Sequence, residues 1–252
     1  MQKFIDNDIR LIEDIHKYEL KDDPEFEFTS CTTFVKYFFE PFDKIGVANN
    51  LAGSHPKYLD KTPRQLVEEW DDIAEEGTLI HAEVERFIKE NAAPNHPKSK
   101  SAVKWIKEYI YEIEKYDIFS EVIVYSKELS LAGTIDLLIY DKMTGTYKLL
   151  DWKTNRKIFT SSYDNKTGMH RATANLMDCN FLHYSIQLSL YRYILEKYYG
   201  LTVSGSAISH LTEEKVNIYK TEYHKAEVVE MLKADRAALK KRNEECLTKK
   251  FV

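Results

Sequence analysis

The chain has 252 residues, 43% of them apolar, enough for the core of one large domain or two small ones. Its net charge of −5 excludes a general polyanion affinity, so any contact with nucleic acid must come from a local basic groove. Cys31, Cys179 and Cys246 are scattered, with no C-x-x-C pair, which argues against a disulfide framework, a zinc site or an iron–sulfur cluster; with no long apolar run and no signal-like N-terminus, the expectation is a soluble, intracellular protein with no membrane partner.

In chain order, Ile5, Ile9, Ile12 and Ile15 fall near helical spacing and predict a short helix over Phe4–Tyr18, ended by Lys21-Asp22-Asp23-Pro24. Ser30 is the expected N-cap of a second helix that closes before Pro41. Thr32 and Thr33 have two readings there, as capping hydroxyls or as receivers of a DNA phosphate at the helix N-terminus. Thr62-Pro63 starts a helix through Trp70, and Glu75–Ile88 forms an amphipathic one with Ile80, Val84, Phe87 and Ile88 on its inner stripe. His81 lies beside that stripe, four residues before Glu85; a lone histidine at such an edge reads first as a packing residue. Residues 91–101 read as an exposed, proline-broken loop, after which Ser101 caps a helix to Tyr111 or Lys115 with Val103, Ile106, Ile110 and Ile113 inward. Glu121 opens a strand, Glu121–Tyr125, that should pair with the segment beginning at Leu131.

Two β-forming runs, Leu137–Tyr140 and Tyr147–Leu150, flank the turn-rich Asp141–Gly145 and predict a β-hairpin. Antiparallel pairing brings Asp136 and Asp151 to one end of it, and the period of two turns Lys153 to the face of Asp151. Two acids with a lysine beside them suit phosphodiester hydrolysis: oxygen ligands for Mg²⁺ or Mn²⁺, and a fixed cation for the attacking water or the developing charge. A surface hairpin with solvated charges is the plainer alternative.

Residues 154–180 are irregular and locally basic, Arg156, Lys157, Lys166 and Arg171 outnumbering Asp164 and Asp178; the expectation is a lid or arch over a bound strand. Phe181–Tyr199 predicts a helix stopped at Gly200, with Gln187 and Tyr191 on one face. Val203–His210 and Val216–Thr221 predict two more strands, and Ala226–Asn243 a charged terminal helix whose Lys240-Lys241-Arg242 reads as a solvated face.

Gly133-Thr134-Ile135-Asp136, fourteen residues, then Asp151-Trp152-Lys153 resembles the G-x-x-D…D-x-K signature of the PD-(D/E)XK nuclease superfamily. Three further stretches are similar to its RecB-like exonuclease branch, which includes phage and mitochondrial genome maintenance exonucleases: Ser30-Cys31-Thr32-Thr33 with Phe38–Asp43, Gly77–His81 as G-x-x-x-H, and Gln187–Tyr191 as Q-x-x-x-Y. Ile135 stands where the namesake motif has proline, and D-x-K replaces E-x-K. The resemblance implies an α/β, restriction-endonuclease-like αβββαβ core with a mixed central sheet. It would form one nuclease domain over 1–252: a mainly helical section, 1–115, carrying His81, and a catalytic core, 116–252, with the 154–180 insertion.

The same resemblance implies a Mg²⁺- or Mn²⁺-dependent DNA exonuclease preferring ends and single strands. Asp136, Asp151, His81 and the Trp152 carbonyl would hold metal, with Glu121 either a further ligand or an exposed strand charge. Lys153 would be catalytic, and Gln187, Tyr191, Thr32, Thr33 and Arg156 would guide DNA. Neutral imidazole favours Mn²⁺ over Mg²⁺. Replication or recombination proteins are the partners such an enzyme would meet. A sequence- or structure-specific endonuclease of the same fold, and a non-catalytic nucleic-acid-binding or assembly subunit, are the alternatives.

Overall fold

The computed structural model describes residues 8–111 and 114–248. Its frame is a mixed six-stranded sheet made of β3 (Thr29–Ser30), β4 (Tyr116–Ser126), β5 (Leu131–Asp141), β6 (Thr146–Lys153), β7 (Val203–Leu211) and β8 (Val216–Thr221). The expected hairpin is β5–β6, in register Leu137 with Leu150, and its turn closes on Gly145 at φ 67°, a conformation glycine adopts without strain. β4 pairs antiparallel along the whole of β5. A strand has two edges, so β3, parallel to Leu131–Ala132, and β6, beginning at Leu137, share the other one end to end. The stretch Gly133–Asp136 lies in the gap between them.

Apolar residues on both faces require two covering layers. On one side α3 (Pro63–Glu90) and α4 (Pro97–Ile106) bury Ile80, Val84, Phe87 and Ile106 against Leu137, Ile139, Leu150 and Trp152. On the other, α1 (Cys31–Lys36), α5 (Asn180–Tyr198), α6 (Lys225–Leu232) and α7 (Arg236–Thr248) enclose Phe34, Ile186, Leu190, Val228 and Leu239 with Leu138 and Leu149. α5 is the crossover that lets β6 and β7 run parallel. A further helix, α2 (Lys44–Leu51), packs on α3. Among the described residues no helix is long and apolar enough to cross a membrane.

Several expectations are corrected. The N-terminal isoleucines form no helix: Ile9–Ile12 (β1) and Lys17–Leu20 (β2) make an antiparallel hairpin around a 3₁₀ turn, with His16 left-handed. β-branched residues suit a pleated surface, and Ile9, Tyr18 and Leu20 are buried there, whereas Ile15 is exposed; Ile5 lies outside the described residues. Thr62 and Gln65 form a capping box, but the two helices expected after it are one, α3. α4 starts four residues before Ser101, at Pro97, capped by the His96 ring, while the Ser101 hydroxyl donates to the Thr212 carbonyl at 2.6 Å. It then runs on as a π-helical turn, Lys107–Tyr111; Ile113 lies outside the described residues. The terminal helix is two helices, because Asp235 turns the chain and caps α7 through the Ala238 amide.

The loop expected to be a lid is anchored along its second half. The Met169 amide and Thr173 hydroxyl both donate to the Phe38 carbonyl, Ala172, Thr173 and Leu176 are buried, and Asn175 donates to Glu227. Arg242, expected on a solvated face, donates to the carbonyls of Tyr37 and Met169 and ties α7 to this segment.

Candidate metal centre

Strand alternation breaks where β4 pairs with β5, and the site lies at that break. Ile118 packs on the α3 side and Val122 on the α5 side, although an even spacing should keep them together; Ile135 and Leu137 are divided in the same way. The ladder runs Ser120–Leu137 and then Val122–Ile135, leaving Glu121 opposite Asp136 with the glutamate backbone left-handed at φ 51°. A non-glycine residue held there mid-strand is a local strain that re-aims its side chain. Glu121 is thus the pivot in the middle of a long strand, not its opening residue.

α3 supplies the third group. It crosses the end of β6 at Gly77, where a Cβ would come 3.0 Å from the Thr154 hydroxyl, and His81 follows one turn later. His81 Nδ1 stands 3.7 Å from Asp136 Oδ2, and one donor atom each from His81, Glu121 and Asp136 all lie within 4.8 Å of one another. Asp136 is fixed by the Trp152 amide, which donates to Oδ2 at 2.7 Å across the hairpin.

Beside this triad Asp151, almost wholly buried, is ion-paired with Lys153. The ammonium also donates to the Trp152 carbonyl at 3.3 Å and lies 4.7 Å above the Tyr184 ring. Gln187 Nε2 donates to Asp151 Oδ1 at 3.4 Å and to the Tyr191 hydroxyl at 3.1 Å, so the i, i+4 pair on α5 works as one bracket. The Tyr191 ring occupies the place a side chain at Gly133 would take. The electrostatics are those of crowded acids. Burial, then Asp136 and Glu85, push the Glu121 carboxyl up to about 8. Burial raises Asp151 as well, against the pull of Lys153. For Lys153 burial opposes the charge, but Asp151 and Asp136 outweigh it and raise the ammonium's pKa.

The cleft over these groups has a volume of about 400 Å³. His81, Glu121, Asp136, Asp151, Lys153, Gln187, Tyr191 and Thr32 all line it. Thr33 does not; its side chain accepts from Ser30, whose hydroxyl caps α1 through the Thr33 amide. Arg156 lies exposed in a neighbouring depression. Sequence reasoning passed over Glu13, His16 and Tyr18, which line the cleft because the N-terminal hairpin covers the sheet next to α3. It also passed over Glu85 and Thr134, although helical spacing from His81 and strand spacing from Asp136 pointed to both. Tyr18 is locked in place by Thr134, hydroxyl to hydroxyl at 3.0 Å.

No protein-family model matches the sequence, and no curated protein does. Among solved structures the chain is similar to a protein described as "Putative exonuclease" from Eubacterium rectale, at 10% identity over 89% of this chain and 84% of that one, with a TM-score of 0.40. It is also similar to SSO0001, at 12% identity over 89% and 77%, with a TM-score of 0.36.

Proposed function

We propose that the protein is a divalent-metal-dependent deoxyribonuclease that hydrolyses phosphodiester bonds from DNA ends. The observation that carries this reading is the convergence of His81, Glu121 and Asp136, from three separate elements, within 4.8 Å beside a lysine that a third acid, Asp151, holds in place. Two carboxylates and one imidazole, with no thiolate, suit Mg²⁺ or Mn²⁺, and the imidazole favours Mn²⁺. Asp151 and the Trp152 carbonyl, on the adjoining strand, would complete the set. When bound, such an ion lowers the pKa of a water and takes up charge on a phosphate oxygen.

The chain's own contribution is orientation and fixed charge. Lys153, kept protonated by its acid neighbours, stabilises negative charge as it builds on the phosphoryl oxygens and orients the attacking water. The Gln187–Tyr191 bracket keeps Asp151 turned toward the lysine, and the Trp152 amide holds Asp136 toward the triad. Attack at ends rather than within a strand follows the resemblance of the G-x-x-x-H and Q-x-x-x-Y stretches. The test uses end-labelled linear and circular single-stranded DNA with Mn²⁺ or EDTA. Metal-dependent loss of the linear form with survival of circles is the expected result. Cleavage of circles would make the enzyme an endonuclease, and binding without degradation in Mn²⁺ would make the chain a non-catalytic subunit.

A further inference from the structure

The metal cleft continues into two further depressions. It shares His81 and Lys153 with a shallow one that passes over the α3–β6 crossing at Gly77 and Thr154, bounded by Trp70 and Ile73. That one shares Asn155 with a larger depression of about 590 Å³, formed by Lys57, Tyr58, Arg156, Lys157, Phe159 and Asn180. Its character is the reverse of the metal cleft. Lys57, Arg156 and Lys157 are exposed, and no carboxylate among the described residues is ion-paired with any of them, in a chain whose net charge is −5. Phe159, a phenylalanine 53% exposed, has its amide fixed by Asn180 Oδ1 at 2.8 Å, and Lys157 lies 5.1 Å over its ring; Lys57 lies 4.9 Å over Tyr58. The floor is equally firm: His210 is hydrogen-bonded to the Asn155 carbonyl at 2.6 Å, and Asn155 Nδ2 donates to Tyr184.

We propose that Phe159, Lys57 and Lys157 make this depression the cradle that holds single-stranded polynucleotide beyond the metal centre, reached over the Gly77–Thr154 saddle; the proposal rests on the nuclease reading above and assigns the residues that select an unpaired strand. Cations that no carboxylate neutralises, with the Lys57 ammonium held by the Tyr58 hydroxyl at 3.1 Å, beside presented aromatic rings match a strand with its bases unstacked: phosphates neutralised by Lys57, Arg156 and Lys157, and a base stacked on Phe159. A duplex keeps all but its terminal base faces covered and offers no unstacked base along its length to the ring. Gly77, without a side chain, leaves the saddle low between the two depressions.

The experiment measures binding of fluorescein-labelled oligothymidylate and a blunt duplex by anisotropy in Ca²⁺, across a salt series, for the wild type and for Phe159→Ala, Lys57→Ala, Arg156→Ala and Lys157→Ala. The expected result is tighter binding of single strand than duplex by the wild type. Phe159→Ala should weaken single-strand binding by about 5- to 150-fold, the range for loss of one stacked base, and barely change duplex binding. Each cation removed should lower the log–log salt slope by about 0.7. Equal losses for duplex and single strand, or variants that bind as the wild type does, overturn the proposal. Degradation of end-labelled single strand by the wild type in Mn²⁺ reads the metal centre separately. Binding without that degradation would fail the nuclease reading, and unchanged variant binding would fail the cradle.

Discussion

At the scale of single residues, the centre is held in a costly state. Glu121 combines a left-handed backbone with a carboxyl pushed up to about 8, from 4.5, by burial and by acid neighbours. Between those pH values the folded protein binds more protons than the unfolded chain, so this group's contribution to stability is full below about 4.5 and is lost as pH rises through 8. In EDTA at pH 8, Glu121→Gln should therefore raise Tm, by about 2–4 °C for each kcal/mol of repulsion relieved; a lowered Tm in calorimetry would show that the charge is not strained. Binding a divalent ion must displace that proton, so Mn²⁺ affinity should climb between pH 6 and 8, as isothermal titration in buffers of different ionisation enthalpy would read. Lys153→Ala should lower turnover by about 10²- to 10³-fold, the scale for one lost charge-stabilising donor, while DNA affinity in Ca²⁺ persists. Near wild-type turnover would remove the lysine from the mechanism. Costs of this kind, without any gain in packing, are what a functional site imposes on a fold and a binding scaffold has no reason to keep.

At the scale of elements, the glycines mark where pieces must approach. Gly133→Ala puts a methyl group into the Tyr191 ring, which α5 cannot withdraw because Tyr191 sits between Gln187 and the core. It should destabilise the protein by about 1–3 kcal/mol, the usual cost of overpacking, and disturb Asp151 through the bracket; chemical denaturation would measure the first and DNA turnover the second. Deleting residues 166–179 should unfold or strongly destabilise the chain rather than only weaken strand binding, since Ala172, Thr173 and Leu176 are core. A deletion variant with unchanged Tm would restore the lid. The hairpin, its acids, the lysine and the α5 pair were legible in the sequence because strand and helix periods alone put them on common faces. Glu121 was named only through the resemblance, because the break in alternation that sets it beside Asp136 depends on one backbone angle that no pattern records. The N-terminal isoleucines misled for a related reason: their spacing fits a helical period, and only the docking of Ile9, Tyr18 and Leu20 against Ala132 and Tyr125 makes the segment a hairpin, with Tyr18 in the wall of the cleft.

At the scale of the whole molecule, the sheet divides the work. Its α3 side contributes the histidine, its α5 side the bracket and the acid–lysine pair, and the gap between β3 and β6 lets the two meet around Asp136. Acidic groups gather there while basic ones gather beyond Thr154, so a chain of net negative charge still carries a locally basic surface next to the centre. The most direct measurement is anomalous scattering at the manganese edge from crystals grown with Mn²⁺. A peak about 2.2 Å from His81 Nδ1 or Nε2 and from oxygens of Asp136 and Glu121 is the predicted result. No peak in that cleft at saturating Mn²⁺, or one bound only by surface acids elsewhere, would contradict the metal-centre account.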